Sequence, residues 1–134
     1  MKPILIYTDG AARGNPGPAA AGWCFCDESG VVLKEGKRFL GELTNNQAEY
    51  QALLLALEEA KKTGIQAIRV YSDSELMVRQ LKGEYKVKNE GLKPLYQKAV
   101  LTLRAFAQYS LTSIPREKNE IADRLANEAI DGAL

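Results

Sequence analysis

The chain opens on a nearly unbroken apolar run, Ile4-Leu5-Ile6-Tyr7, which only Thr8 separates from Asp9. A continuous β-prone stretch of this kind, Lys2 to Asp9, predicts a central strand covered on both faces. Gly10 to Pro18 is rich in Gly and Pro and predicts a turn-rich connection. Beyond it, Ala19–Cys26 and Val31–Leu40, joined by Asp27-Glu28-Ser29-Gly30, complete a three-strand antiparallel meander. The period then changes. From Asn45 to Lys62, residues Glu49, Ala52, Leu53, Ala56, Leu57 and Ala60 recur at helical spacing, and Gly64 closes the segment. Ala67–Ser72 reads as a short strand, Ser74–Leu81 as a helix and Gly83–Gly91 as a loop. Lys93–Gln108 reads as a helix entered at Pro94, Tyr109–Ile114 as a strand, and Asn119–Ile130 as a last helix capped by Asn119. The order βββαβααβα, without repeat, low-complexity tract or linker, predicts one α/β domain over residues 1–134. A meander followed by β-α units implies a mixed sheet with helices on both faces.

Composition changes this picture little. At 134 residues, 46% hydrophobic and 26% charged, the chain suits a soluble globular domain with a proper core. The apolar run Leu53-Leu54-Leu55-Ala56-Leu57 falls far short of the ~18 residues of a membrane span. The first residues have no signal-peptide layout, so a cytoplasmic protein is expected. Cys24 and Cys26 form a C-x-C with no other Cys or His to complete a zinc site. They read as small apolar residues of a reducing compartment. The net charge of +1 supplies no overall basic field, so any polyanion must be held by local clusters and bound metal. Nothing marks an obligate protein partner, and a monomer is expected.

Candidate chemistry rests on acids, because the chain contains no histidine. That absence removes imidazole as base, acid or metal ligand. Asp and Glu alone work most naturally through hard cations, which prefer oxygen ligands. Four acids stand out. Asp9 ends the first strand before a glycine, where a turn-forming Asp is an equal alternative. Glu49 lies on the apolar stripe of its helix, where an unpaired carboxylate is costly and a buried salt bridge is the alternative. Asp73 opens a helix, and Ser72-x-x-Glu75 spells a capping box that would make it structural. Asp123, one turn into the last helix, reads by itself as a solvated acid near the positive end of the helix dipole. Together the four converge at one end of a mixed sheet. They would repel unless neutralised, and two magnesium ions would cancel their charge.

These residues sit in local motifs: Asp-Gly-x-x-x-Gly-Asn-Pro-Gly-Pro from Asp9, Thr-Asn-Asn-x-x-Glu from Thr44, Ser-Asp-Ser around Asp73 and Asn-x-x-x-Asp from Asn119. Motifs and order resemble type 1 ribonuclease H over nearly the whole chain. The resemblance implies a ribonuclease H-like fold, a mixed five-stranded sheet of a three-strand antiparallel meander plus two parallel strands, flanked by helices. It implies endonucleolytic cleavage of the RNA strand of RNA–DNA hybrids, with Asp9, Glu49, Asp73 and Asp123 as catalytic acids and metal ligands. Two Mg2+ ions, with Mn2+ as the alternative, would drive phosphodiester hydrolysis that leaves 5′-phosphate and 3′-hydroxyl ends. Asn15, Asn45 and Asn46 would reach the hybrid's minor groove or backbone, where an amide can read a 2′-hydroxyl. Helix capping is the other role for Asn45 and Asn46, since Thr44-x-x-Gln47 also fits a capping box. Thr44 would touch the DNA-strand phosphate, and Lys86, Lys88 and Lys93 are the candidate phosphate contacts beyond it.

Three departures from the family stand out. Ser113-Ile114-Pro115-Arg116-Glu117-Lys118 holds no histidine where many members have one, leaving Glu117 or Lys118 as stand-ins. The basic protruding helix of some members is absent; Lys82, Lys86, Lys88 and Lys93 alternate with Glu84 and Glu90 there. Glu75 stands where several members have glutamine. The competing readings are a non-catalytic hybrid-binding or interaction module of the same fold, and the same chemistry on double-stranded RNA. Exonuclease relatives place Tyr or His near the fourth acid, and Asn119–Leu125 holds neither.

Overall fold

Three strands, β1 (Ile4–Ala12), β2 (Gly17–Cys26) and β3 (Val32–Leu43), form an antiparallel meander. The computed structural model describes residues 2–134. Beyond the meander come α1 (Asn45–Lys62), β4 (Ala67–Ser72), α2 (Glu75–Leu81), α3 (Lys93–Arg104), β5 (Gln108–Ser113), a single 3-10 turn at Arg116–Lys118 and α4 (Glu120–Ala133). The five strands make one sheet in the order β3-β2-β1-β4-β5, with β4 parallel to β1 and β5 parallel to β4. No helix is assigned between Leu81 and Lys93. Among the described residues no helix is long and apolar enough to cross a membrane.

The first strand runs three residues further than its apolar run predicts. Gly10, Ala11 and Ala12 continue pairing with Ala21, Ala20 and Ala19. Their small side chains let the helices close on the sheet. A Cβ at Gly10 would collide with the main chain of Ala48 and Glu49, so α1 crosses β1 in backbone contact. Gly22, paired with Asp9, meets the main chain of Ala122 and Ala126 in the same way from the opposite face, where α4 lies. The core fills the space between α1, α3 and the sheet, around Ile6, Tyr50, Leu53, Leu57, Ile68, Val70 and Leu103. The lone Trp23 is buried over Gly36, where a Cβ would enter the indole, and its Nε1 donates to Glu59 Oε1 of α1 at 3.1 Å.

Helix α3 ends at Arg104, short of the expected Gln108. The amide of Phe106 turns back to the Leu103 carbonyl and the buried Phe106 ring closes the helix end, freeing Gln108 to begin β5. Helix α2 starts at Glu75 with Ser74 as its cap, the Ser74 hydroxyl accepting from the Met77 amide. The Ser72 hydroxyl instead accepts from the Ser74 amide, so the box spelled by Ser72 and Glu75 does not form.

Candidate active site

Strand register brings the first two acids together. Thr8 of β1 pairs with Ser72 of β4, so Asp9 and Asp73 follow at adjacent positions. The close approach at Gly10 adds the third, because the Gly10 amide donates to Glu49 Oε1 at 2.7 Å. One carboxylate oxygen from each of Asp9, Glu49 and Asp73 lies within 4.8 Å of the other two. Asp123, in the first turn of α4, lines the same open cavity of about 570 Å³ with Arg13, Asn45, Arg116 and Asn127. All four sequence-derived acids therefore border one site.

Their electrostatics are those of a cluster short of positive charge. Burial, and then the charges of Glu49, Asp73 and Asp123, push the Asp9 carboxyl up to about 9. Burial likewise pushes Glu49 up to about 8; the Gly10 amide opposes this, Asp73 adds to it, and Arg116 acts weakly against it. An oxygen-only donor set with this excess of negative charge fits a hard divalent cation.

Asn119 does a different job from the expected cap. It makes no side-chain bond to the helix start; its Nδ2 donates instead to the Thr8 carbonyl at 2.9 Å and to Asp73 Oδ2 at 3.4 Å. The buried amide thus spends its donor on a carbonyl of the central strand and a carboxylate just past β4, both of which accept.

The substrate candidates divide into two places. Thr44 caps α1 reciprocally with Gln47, so Asn45 and Asn46 are not the cap and both side chains are exposed. Asn15 accepts from the Asn45 amide at 3.0 Å, tying the loop after β1 to the start of α1. Lys86 and Lys93 line a separate groove of about 380 Å³ with Tyr85 and Tyr96, and Lys93 also pairs with Glu90 at 2.8 Å. Lys88 is exposed and does not line that groove. Glu75 is paired with Arg79 at 2.8 Å, and that guanidinium lies over the Tyr85 ring.

Sequence reasoning missed Arg116. Glu117 and Lys118 line another cavity with Tyr7, Cys24 and Cys26, which none of the four acids borders, whereas Arg116 borders the acid cavity and approaches Asp123 Oδ1 at 3.8 Å. The signal was present in its permanent charge and its place in the loop before the fourth acid. Both cysteines are buried free thiols, and burial pushes Cys24 up to about 12, which suits an inert packing role.

The chain is similar to several known proteins. A family model described as "Reverse transcriptase-like" matches residues 7–129. Ribonuclease HI of Halobacterium salinarum is 46% identical over 130 residues, covering 97% of this chain and 65% of the relative. A bifunctional protein of Mycobacterium tuberculosis is 43% identical over 133 residues, covering 97% of this chain and 36% of the relative. The chain thus spans between about a third and two thirds of the length of these curated relatives. The crystal structure of LC11-RNase H1 in complex with an RNA/DNA hybrid superposes with a TM-score of 0.92 at 47% identity, covering 97% of this chain and 98% of that one.

Proposed function

The chain belongs to the type 1 ribonuclease H family, and from that premise we propose that it is a metal-dependent endoribonuclease cutting the RNA strand of RNA–DNA hybrids. The observation that carries this reading is the convergence of Asp9, Glu49 and Asp73 oxygens within 4.8 Å in an open cavity that Asp123 completes. Those four side chains would hold two Mg2+ ions. When bound, the ions would supply the Lewis acidity that ionises water near neutral pH and the charge that offsets the leaving 3′ oxygen.

The chain's own residues do the rest. Asp9 presents its carboxylate from within β1 and Asp73 from just past the end of β4, adjacent positions that the sheet cannot move apart, and the Gly10 amide fixes Glu49 beside them. Asn45 borders the cavity, where its amide can both donate to and accept from a ribose 2′-hydroxyl. Asn15 sets the position of Asn45 through its main chain, and exposed Asn46 extends the same polar edge. Arg116 provides the cation that faces a scissile phosphate in place of the absent histidine. Lys86 and Lys93 supply a second anchor for the nucleic-acid backbone. The products are a 5′-phosphate and a 3′-hydroxyl, and the protein works as a cytoplasmic monomer.

Incubation of the purified protein with end-labelled RNA–DNA, RNA–RNA and DNA–DNA duplexes in magnesium tests this. Cleavage confined to the RNA of the hybrid, with 5′-phosphate ends, is expected. Equal cutting of RNA–RNA would move the substrate to duplex RNA. Binding of hybrid without any cleavage would make the chain a non-catalytic module.

A further inference from the structure

Three of the four acids are held by the sheet or by main-chain contact, and Asp123 is not. It stands on the first turn of α4 with its side chain one-third exposed, and two groups reach its Oδ1. One is Arg116, whose own side chain is 80% exposed and so poorly restrained. The other is Asn127, one helical turn on, whose Nδ2 lies 3.3 Å from Asp123 Oδ1 and 3.0 Å from the Asp123 carbonyl. Asn127 is in turn engaged from the opposite side. Arg13 NH2 donates to Asn127 Oδ1 at 3.3 Å and to its carbonyl at 3.4 Å, while Arg13 NH1 pairs with Asp131 at 2.6 Å.

The polarity of this chain is fixed by chemistry. A guanidinium only donates and a carboxylate only accepts, whereas a carboxamide has one end of each kind. With Arg13 at its oxygen and Asp123 at its nitrogen, the Asn127 amide has one favourable orientation. A stabilising role explains it less well, because Arg13 and Asp131 are both exposed, and exposed ion pairs contribute little. Arg13 also lies two residues before Asn15, which binds the first turn of α1. One short loop therefore joins the start of α1 to the fourth acid.

We propose that Asn127, oriented by Arg13, is a positioning residue that presents the Asp123 carboxylate to a divalent cation. The proposal rests on the reading of the four acids as metal ligands, since an outer partner of a ligating carboxylate sets its direction and basicity.

Mn2+ titration of the whole protein without nucleic acid, followed by calorimetry, tests it beside the melting temperature in chelator. Asn127→Ala is expected to weaken the Mn2+ step that Asp123 shares by about tenfold, the lower end for an outer-shell partner. Arg13→Ala weakens it less, Arg13→Lys restores most of the loss, and the double alanine variant is no weaker than Asn127→Ala alone. In cleavage assays the magnesium requirement rises while KM for hybrid is unchanged. Metal affinity equal to wild type in both alanine variants overturns the proposal, as does equal affinity in Arg13→Ala and Arg13→Lys should Asn127→Ala fail to fold. If the wild-type protein takes up no Mn2+ at all, the metal-site reading itself falls and takes this proposal with it.

Discussion

The main-chain N–H of Gly10 donates to Oε1 of Glu49 across 2.7 Å, so an acid of α1 is held by the backbone of the central strand. The contact exists because residue 10 has no Cβ; one there would occupy the space of the Ala48 and Glu49 main chain. Glycine here buys both the packing of a helix and the aim of a carboxylate.

Gly10→Ala should therefore damage stability and chemistry together. Forcing α1 away from β1 costs about 1–3 kcal/mol, the usual range for overpacking, and carries Glu49 away from Asp9 and Asp73. Thermal melting and a hybrid-cleavage assay measure the two losses. Gly132→Ala, in the last turn of α4 where nothing lies within 4 Å, is the control and should leave cleavage unchanged and stability no lower.

The raised acids make the metal-free protein sensitive to pH. In the unfolded chain Asp9 and Glu49 lose their protons near the ordinary carboxylate value of about 4; in the folded protein they keep them to about 9 and about 8. The folded state binds more protons throughout that window, so stability falls as pH rises from about 4 to about 9. Melting in chelator should show this decline. Asp9→Asn should flatten it, raise the melting temperature at pH 8 and abolish cleavage. A variant that melts lower than wild type at pH 8 would show that Asp9 is a structural acid.

Arg116 brings a guanidinium to within 3.8 Å of Asp123 Oδ1 at the rim of the acid cavity. Arg116→Ala should lower turnover about tenfold, less than the ~10²–10³ lost with a dry oxyanion donor, because the guanidinium is solvated. Arg116→His should recover part of that rate below pH ~6.5 and lose it above, as the imidazole gives up its proton. The wild-type profile should show no step there. A step near that pH in the wild-type protein would require a titrating group other than those named above.

The groove holding Lys86 and Lys93 should make itself felt through salt. Each phosphate neutralised contributes about −0.9 to the slope of log K against log salt on B-form duplex. The double variant Lys86→Ala/Lys93→Ala should make the slope shallower by about two contacts in calcium, with saturated turnover in magnesium unaltered. Lys88→Ala, outside the groove, should change it little. An unaltered slope in the double variant removes the groove from the binding surface.

Much of this was legible from residue order alone. The 3.6 period of α1 and the apolar runs of β1 and β4 state their environment directly, and Ala67–Ser72 appears with the expected bounds. Glu49 was conspicuous because a charge on an apolar stripe needs a reason. What could not be read is what depends on partners far along the chain. The extension of β1 through Gly10-Ala11-Ala12 is set by Ala19–Ala21 across the sheet, not by local propensity. Asn119 looks like a cap in sequence, and only the Thr8 carbonyl and Asp73, 111 and 46 residues away, divert it. Asn127 carries no local signature, since its meaning lies in where the Asp123 carboxylate ends up, and Arg116 offers only its charge and its place in the loop.

The seat of Trp23 has a practical side. It is the chain's one tryptophan, closed in by Gly36 and bonded through its ring nitrogen to α1, and it is not among the residues that line the acid cavity. Its emission should stay constant while ions or nucleic acid are added and change sharply when α1 leaves the sheet. The molecule carries its own optical gauge of folding, one that occupancy of the acidic end leaves undisturbed.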